Sequence, residues 1–170
     1  SGIARADAAG FRARPCCYPR MMSRPQFEHV GLTVGDLDRM VAFFTEMLGF
    51  ELKARLQPID PGAVAGIIGV GNAVVAEIAY VAKGDTTFEL LQYQEPAPTR
   101  SALRPCDPGY MHWLVTVDGF AEGVALAARY GFAPESEPYL IAAGPNAGKL
   151  GTYLRHPDGF SLEVIGPRIP

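Results

Sequence analysis

Cysteine is scarce in this chain of 170 residues: there are three, two adjacent (Cys16, Cys17) and one beside a proline (Cys106). They supply neither a disulfide framework nor a zinc-finger spacing, which makes the cytoplasm the default compartment. No apolar run approaches the roughly 20 residues of a membrane span, so no membrane partner is expected. Net charge is low as well, at −3, and unevenly spread. Residues 1–24 hold five arginines against one acid, a surplus of four, which leaves −7 on the remainder. A body of that sign is not expected to bind nucleic acid. The arginine-rich stretch lacks the apolar core of a secretory signal, and Met21-Met22 reads as a natural start. Residues 1–24 are therefore read as a disordered or non-native N-terminal extension.

Histidine is also rare, with three residues, yet two of them stand at the same point of one repeated pattern. The stretch "FEHVGLTV" carries His29, and "YMHWLVTV", eighty-three residues on, carries His112. With these aligned, Thr33 meets Thr116, Val34 meets Val117, and Gly49-Phe50 meets Gly131-Phe132 after a slip of one residue. Such self-similarity predicts two copies of one supersecondary unit.

Each copy opens on an alternating strand. Val30, Leu32 and Val34 share one face and His29, Gly31 and Thr33 the other. Asp36 is a plausible N-cap for a helix marked by Leu37, Met40, Val41, Phe44 and Leu48, with Gly49 placed to end it in a left-handed conformation. In the second copy Trp113, Val115 and Val117 form the apolar face and Asp118 the cap. Phe120, Val124, Ala127 and Ala128 mark a helix that ends at Gly131. Trp113 is thus predicted to lie in the core. "AVVAEIAYVA" (73–82) and "TTFELLQY" (86–93) bracket a "KGD" turn as one hairpin, and residues 151–166 form another around Pro157-Asp158-Gly159. The expected boundaries are a first module at 25–94, a proline-rich linker at 95–109 and a second module at 110–170.

Each module then carries a histidine on its first strand and a glutamate on its last: His29 with Glu89, His112 with Glu163. Alternation places all four on the face opposite the helix. Two imidazoles and two carboxylates converging in a concave sheet are costly to desolvate unpaired, and a divalent metal is the economical partner. Taken singly, a strand histidine is more often just hydrogen-bonded and a late-strand glutamate solvated; the duplication is what favours ligation.

The pairing of "HVGLTVGDLDRMVAFFTEMLGFEL" with "FELLQY", and of "HWLVTVDGFAEGVALAARYGF" with "YLRHPDGFSLEV", resembles the vicinal oxygen chelate superfamily over about residues 27–166. That superfamily includes glyoxalase I, methylmalonyl-CoA epimerase, extradiol dioxygenases and bleomycin-resistance proteins. The resemblance implies an α+β fold of two tandem βαβββ modules whose strands form a curled mixed sheet around a metal site. It implies His29, Glu89, His112 and Glu163 as ligands of one divalent ion (Zn, Ni, Co, Mn or Fe), and a homodimer. It also implies a small-molecule substrate whose adjacent oxygens complete the shell.

Individual residues narrow the chemistry. Extradiol dioxygenases use two histidines and one carboxylate with open positions. Tyr153, Pro157, Gly159 and Glu163 fit part of their pattern, but "AAGPNAGK" lacks their upstream histidine and Glu89 fills a position they keep free. Metal-free binding proteins of the bleomycin-resistance type generally lack the full ligand set. The expectation is therefore a metal-dependent lyase, isomerase or epimerase that polarises a carbonyl and moves the neighbouring proton on a carboxylate. Glu163 and Glu89 are the candidate catalytic carboxylates. Glu77, where the epimerase carries a second acid/base, is a third if the alternation Val75, Glu77, Ala79 turns it inward. "GPNAGKL" is too short for a phosphate loop and reads as a lid with Lys149 as an anion contact, and His156 as a solvated turn residue.

Overall fold

The computed structural model describes residues 24–57, 60–100 and 103–168, so the reading of residues 1–23 lies outside the described residues. Strands and helices combine in a mixed α+β architecture of two sheets. The first sheet has the order β1 (Val30–Thr33), β4 (Thr86–Glu95), β3 (Val74–Lys83), β2 (Glu51–Leu56). The second has the order β5 (His112–Thr116), β9 (Ser161–Gly166), β8 (Leu150–Arg155), β6 (Ala133–Pro134), with β7 (Tyr139–Leu140) also on β8. In each sheet the first strand runs parallel to the last, and the remaining pairs are antiparallel.

Helix α1 (Leu37–Ala42) starts as its sequence dictates: Asp36 accepts the Arg39 N–H at 3.0 Å. It then loosens into a π-helical turn over Phe43–Met47, where Thr45 Oγ1 donates to Val41 O at 2.9 Å and covers a carbonyl at the transition. The wider turn lets two consecutive phenylalanines, Phe43 and Phe44, be buried. Phe43 packs on Tyr130 and Phe132 of the second half, and Phe44 on Phe50, Phe88 and Trp113. Trp113 accordingly lies against the core as expected. Gly49 and Gly131 both take positive φ, at 69° and 97°, where a side chain would be strained.

Three local readings change. Helix α3 (Phe120–Ala128) is preceded at its N-cap by Gly119, not Asp118, and the Phe120 N–H donates to Pro167 O at 3.0 Å. A further helix, α2 (Pro61–Ile68), is inserted between β2 and β3, capped by Asp60 Oδ1 accepting from Gly62 N at 2.9 Å. His156 is buried at 5 % exposure, its ring stacked on Phe160 at 4.7 Å. Phe132 packs on its ring at 5.1 Å, and the Asp158 N–H donates to its Nδ1 at 3.2 Å.

The halves are tied by Asp158, whose Oδ2 accepts the Gly35 N–H at 2.9 Å. A β-carbon at position 35 would come within 2.9 Å of Asp158 Oδ1, so the glycine is what lets the carboxylate reach. Burial works against the charge of Asp158, but the His156 imidazole and the Gly35 N–H prevail and hold its pKa below the usual value. A depressed pKa contributes stability that is present above the unfolded value and lost as pH falls through the folded one. The urea midpoint of the native chain should therefore exceed that of Asp158→Asn by its full margin above pH ~4 and lose that margin in acid. A margin independent of pH would assign the effect to packing instead.

Candidate metal and proton-transfer site

Strand register decides which side chains share a face. In β1 and β4, Gly31 lies beside Glu89 and Leu32 beside Leu90, so His29 falls on the Glu89 face while Leu32 and Leu90 enter the core. His29 Nε2 is 3.3 Å from Glu89 Oε2. In the second half Leu114 lies beside Glu163, which puts His112 on the Glu163 face, and His112 Nε2 is 3.2 Å from Glu163 Oε2. The two imidazole side chains are each 39 % exposed and the carboxylates less, at 19 % and 24 %. Both imidazoles are therefore reached by solvent.

The β3–β4 and β8–β9 hairpins add a residue that sequence reasoning missed in one case and left without a role in the other. Tyr80 is the register partner of Glu89, and Tyr153 of Glu163. The Tyr80 hydroxyl donates to Glu89 Oε1. That bond, followed by burial and the carboxylate charge, pushes the Tyr80 pKa up to about 12, so the phenol keeps its proton through the neutral range. Tyr153 Oη lies 3.5 Å from His112 Nε2, and burial, then the Glu163 charge, raises its pKa. Each half thus presents the same His, Glu and Tyr on one face.

Glu77 belongs to the other face. It pairs in register with Gln92, whose Oε1 accepts the Leu37 N–H at the start of α1 at 2.8 Å, and its neighbours Ala79 and Val81 are fully buried. The Arg55 guanidinium holds its carboxylate through bonds of 2.5 and 2.7 Å, and also binds Asp38 at 2.6 Å. Arg55 keeps the Glu77 carboxyl below its usual range, the opposite of what a base working near neutrality needs. The side chain expected to face inward thus lies on the face opposite Glu89, bound to Arg55. Glu77→Gln should leave turnover within about twofold of the native chain, whereas loss of a general base costs far more. A drop of a hundredfold in a steady-state assay would reinstate it.

The donor chemistry at the two pairs suits a divalent cation. Neighbouring ligands on an octahedral ion sit about 3.0 Å apart when its bonds are about 2.1 Å long, and the observed separations of 3.3 and 3.2 Å match that edge. Each pair stays on its own sheet, and among the described residues no group of three or more His, Cys, Asp or Glu side chains gathers at one point. A hollow of about 440 Å³ is lined by Phe44, Met47, Phe88, Trp113 and Leu114, and none of the four residues lines it. Lys149 donates to Asn146 Oδ1 at 3.1 Å within its own loop. Among the described residues no helix is long and apolar enough to cross a membrane.

Comparison with known proteins bears on the family. A 2-epi-5-epi-valiolone epimerase from Actinomyces sp. is 36% identical over 140 residues, 81% of this chain and 76% of that protein. A lactoylglutathione lyase of Arabidopsis thaliana is 23% identical over 151 residues, covering 87% of this chain but 46% of that protein. Among solved structures, a glyoxalase family protein from Bacillus cereus superposes with a TM-score of 0.64 at 22% identity, covering 85% of this chain and 97% of that one. The family profile of the Glyoxalase/Bleomycin resistance protein/Dioxygenase superfamily matches residues 26–164. The chain belongs to that superfamily.

Proposed function

We propose that this chain is a metal-dependent epimerase of the glyoxalase type, moving a proton on the carbon next to a substrate carbonyl. The observation that carries the reading is the duplicated pair, His29 with Glu89 and His112 with Glu163, each with imidazole nitrogen and carboxylate oxygen at ligand-edge separation. Each pair would supply two ligands to a divalent ion, which when bound would polarise the carbonyl and acidify the adjacent C–H. Glu163 takes that proton. Inversion requires a proton returned to the opposite face, and the partly exposed imidazoles leave the site open to water that can supply it. The similarity to an epimerase supports 2-epi-5-epi-valiolone, or a compound of its class, as substrate.

The test is proton NMR in deuterium oxide on candidate carbonyl substrates, with protein that has been stripped of metal and then reloaded. Deuterium entering beside the carbonyl with the reloaded protein alone, with change of configuration, is the expected result. Oxygen uptake with a catechol and no such exchange would place the chain with the dioxygenases of its superfamily.

A further inference from the structure

The two halves match at their histidines, glutamates and strand-paired tyrosines, and one row of the same face breaks the match. In the second half the row runs His112, Ser161, Arg155 across three neighbouring strands, and Tyr110 stands two residues before the histidine. In the first half the places of Ser161, Arg155 and Tyr110 are held by Thr87, Ala82 and Phe27, and Phe27 is 81 % exposed. Tyr110 folds back over its row instead. The Arg155 guanidinium lies 4.9 Å from the centre of the Tyr110 ring, and that ring is 6.3 Å from the His112 ring. A ring that meets both outer members of the row covers the residue between them, and Ser161 is fully buried. Enclosure leaves two hydroxyls unpaired: among the described residues neither Ser161 Oγ nor Tyr110 Oη has a hydrogen-bond partner, and both are shut off from solvent.

We propose that Tyr110 and Ser161 form a subsite for a hydroxyl group of a neutral, polyhydroxylated substrate, with the Tyr110 ring as a cover that turns aside to admit it. An enclosed hydroxyl without a partner is destabilising, and a ligand group that both donates and accepts relieves it. A substrate hydroxyl can do both at once. Charge argues for a neutral ligand, because the Arg155 guanidinium is already taken: its Nε and Nη2 donate to Glu135 Oε1, each at 2.9 Å, and its Nη1 to Gly159 O at 2.8 Å. An anion would meet a matched ion pair there. Tyr110 precedes β5 and its hydroxyl is unbonded, so the ring turns without breaking a hydrogen bond. A ligand anchored at Ser161 lies beside its row neighbour His112 and hence beside the His112–Glu163 pair. The subsite thus gives a substrate class to the face read above as the site of proton transfer, and it rests on that reading.

Two measurements on the metal-stripped chain test this without turnover. The first is the affinity for myo-inositol, a neutral polyhydroxylated ring, read by saturation-transfer NMR. Tyr110→Phe and Ser161→Ala should each weaken it about tenfold or more. Thr87→Ala, at the equivalent place in the first half, should leave it within about twofold. The second is the urea midpoint without ligand, which should rise in Tyr110→Phe and Ser161→Ala because each removes an unpaired enclosed hydroxyl. No myo-inositol binding, affinity unchanged in both variants, or tighter binding of myo-inositol 1-phosphate than of myo-inositol overturns the inference. A lowered midpoint in both variants also overturns it, since the hydroxyls would then have structural partners. Failure of deuterium exchange in the unaltered, metal-loaded chain instead strikes the epimerase reading and leaves these affinities to decide the subsite.

Discussion

Glu163→Gln is expected to bind a divalent metal with much of the native affinity and to lose on the order of 10²–10⁴ in turnover, the usual cost of removing a general base. The amide oxygen can still donate a lone pair, but an amide does not accept a proton at neutral pH. The two readouts therefore separate, with chelator competition changing little and deuterium exchange collapsing. Glu89→Gln should show the reverse emphasis, a weaker metal site with a milder effect on the chemical step at saturating metal. Equal and full losses in both variants would indicate that the two carboxylates share the proton. Retention of exchange in Glu163→Gln would remove it from the role of base.

The largest expected loss of stability is at Phe43→Ala. Phe43 is fully buried and contacts Phe44, Tyr130 and Phe132 at centroid distances of 5.4, 5.7 and 4.8 Å, so it serves both halves of the chain at once. Truncating such a ring costs about 3–5 kcal/mol through lost transfer energy and the cavity left behind. At about 2–4 °C per kcal/mol for a chain of this length, the melting temperature should fall by roughly 6–20 °C. Because the cavity opens where the halves meet, calorimetry should still show a single transition, displaced as a whole. A shift under about 3 °C would mean that Tyr130 and Phe132 collapse into the space.

The repeat was legible because its two strands obey simple alternation: His29 and His112 face away from Leu32 and Trp113 in the structure as they do on paper. The glycine stops were legible for a similar reason, since Gly49 and Gly131 need a conformation that other residues avoid. Tyr80 was given no role, and Glu77 was expected to face inward on the alternation Val75, Glu77, Ala79; the turn sets that phase. A "KGD" turn read as three residues puts Glu77 and Ala79 on the site face, but the strands pair Lys83 with Thr86 across Gly84-Asp85. Counting back from Glu89 across that two-residue turn reaches Tyr80, and the odd-numbered residues fall to the core. A bulge between Val75 and Glu77 would have defeated alternation further along in any case.

Helix α2 announced itself with Asp60-Pro61 and Gly69, but "GAVAGII" is apolar all round and shows no helical period to read. The burial of His156 depends on Phe132 and Phe160, one of them distant in sequence, and nothing local to "RHPDG" reveals it. That the four metal-ligand candidates form two pairs rather than one cluster is a matter of how the halves pack, which no periodicity encodes.

Because β1 pairs in parallel with β4, the earliest strand of the first sheet finds its neighbour only after the rest of that sheet has been synthesised: Val30 waits for Phe88. The β3–β4 hairpin can close early across its tight turn, while β1 must be captured over a long loop whose closure entropy is met before any contact rewards it. On that argument His29 is expected to meet Glu89 late in the assembly of its sheet, and His112 to meet Glu163 in the same way, since β9 pairs in parallel with β5. Refolding should be slow relative to helical proteins of equal length, and a chain cut short before Phe88 would leave His29 on a strand with no partner.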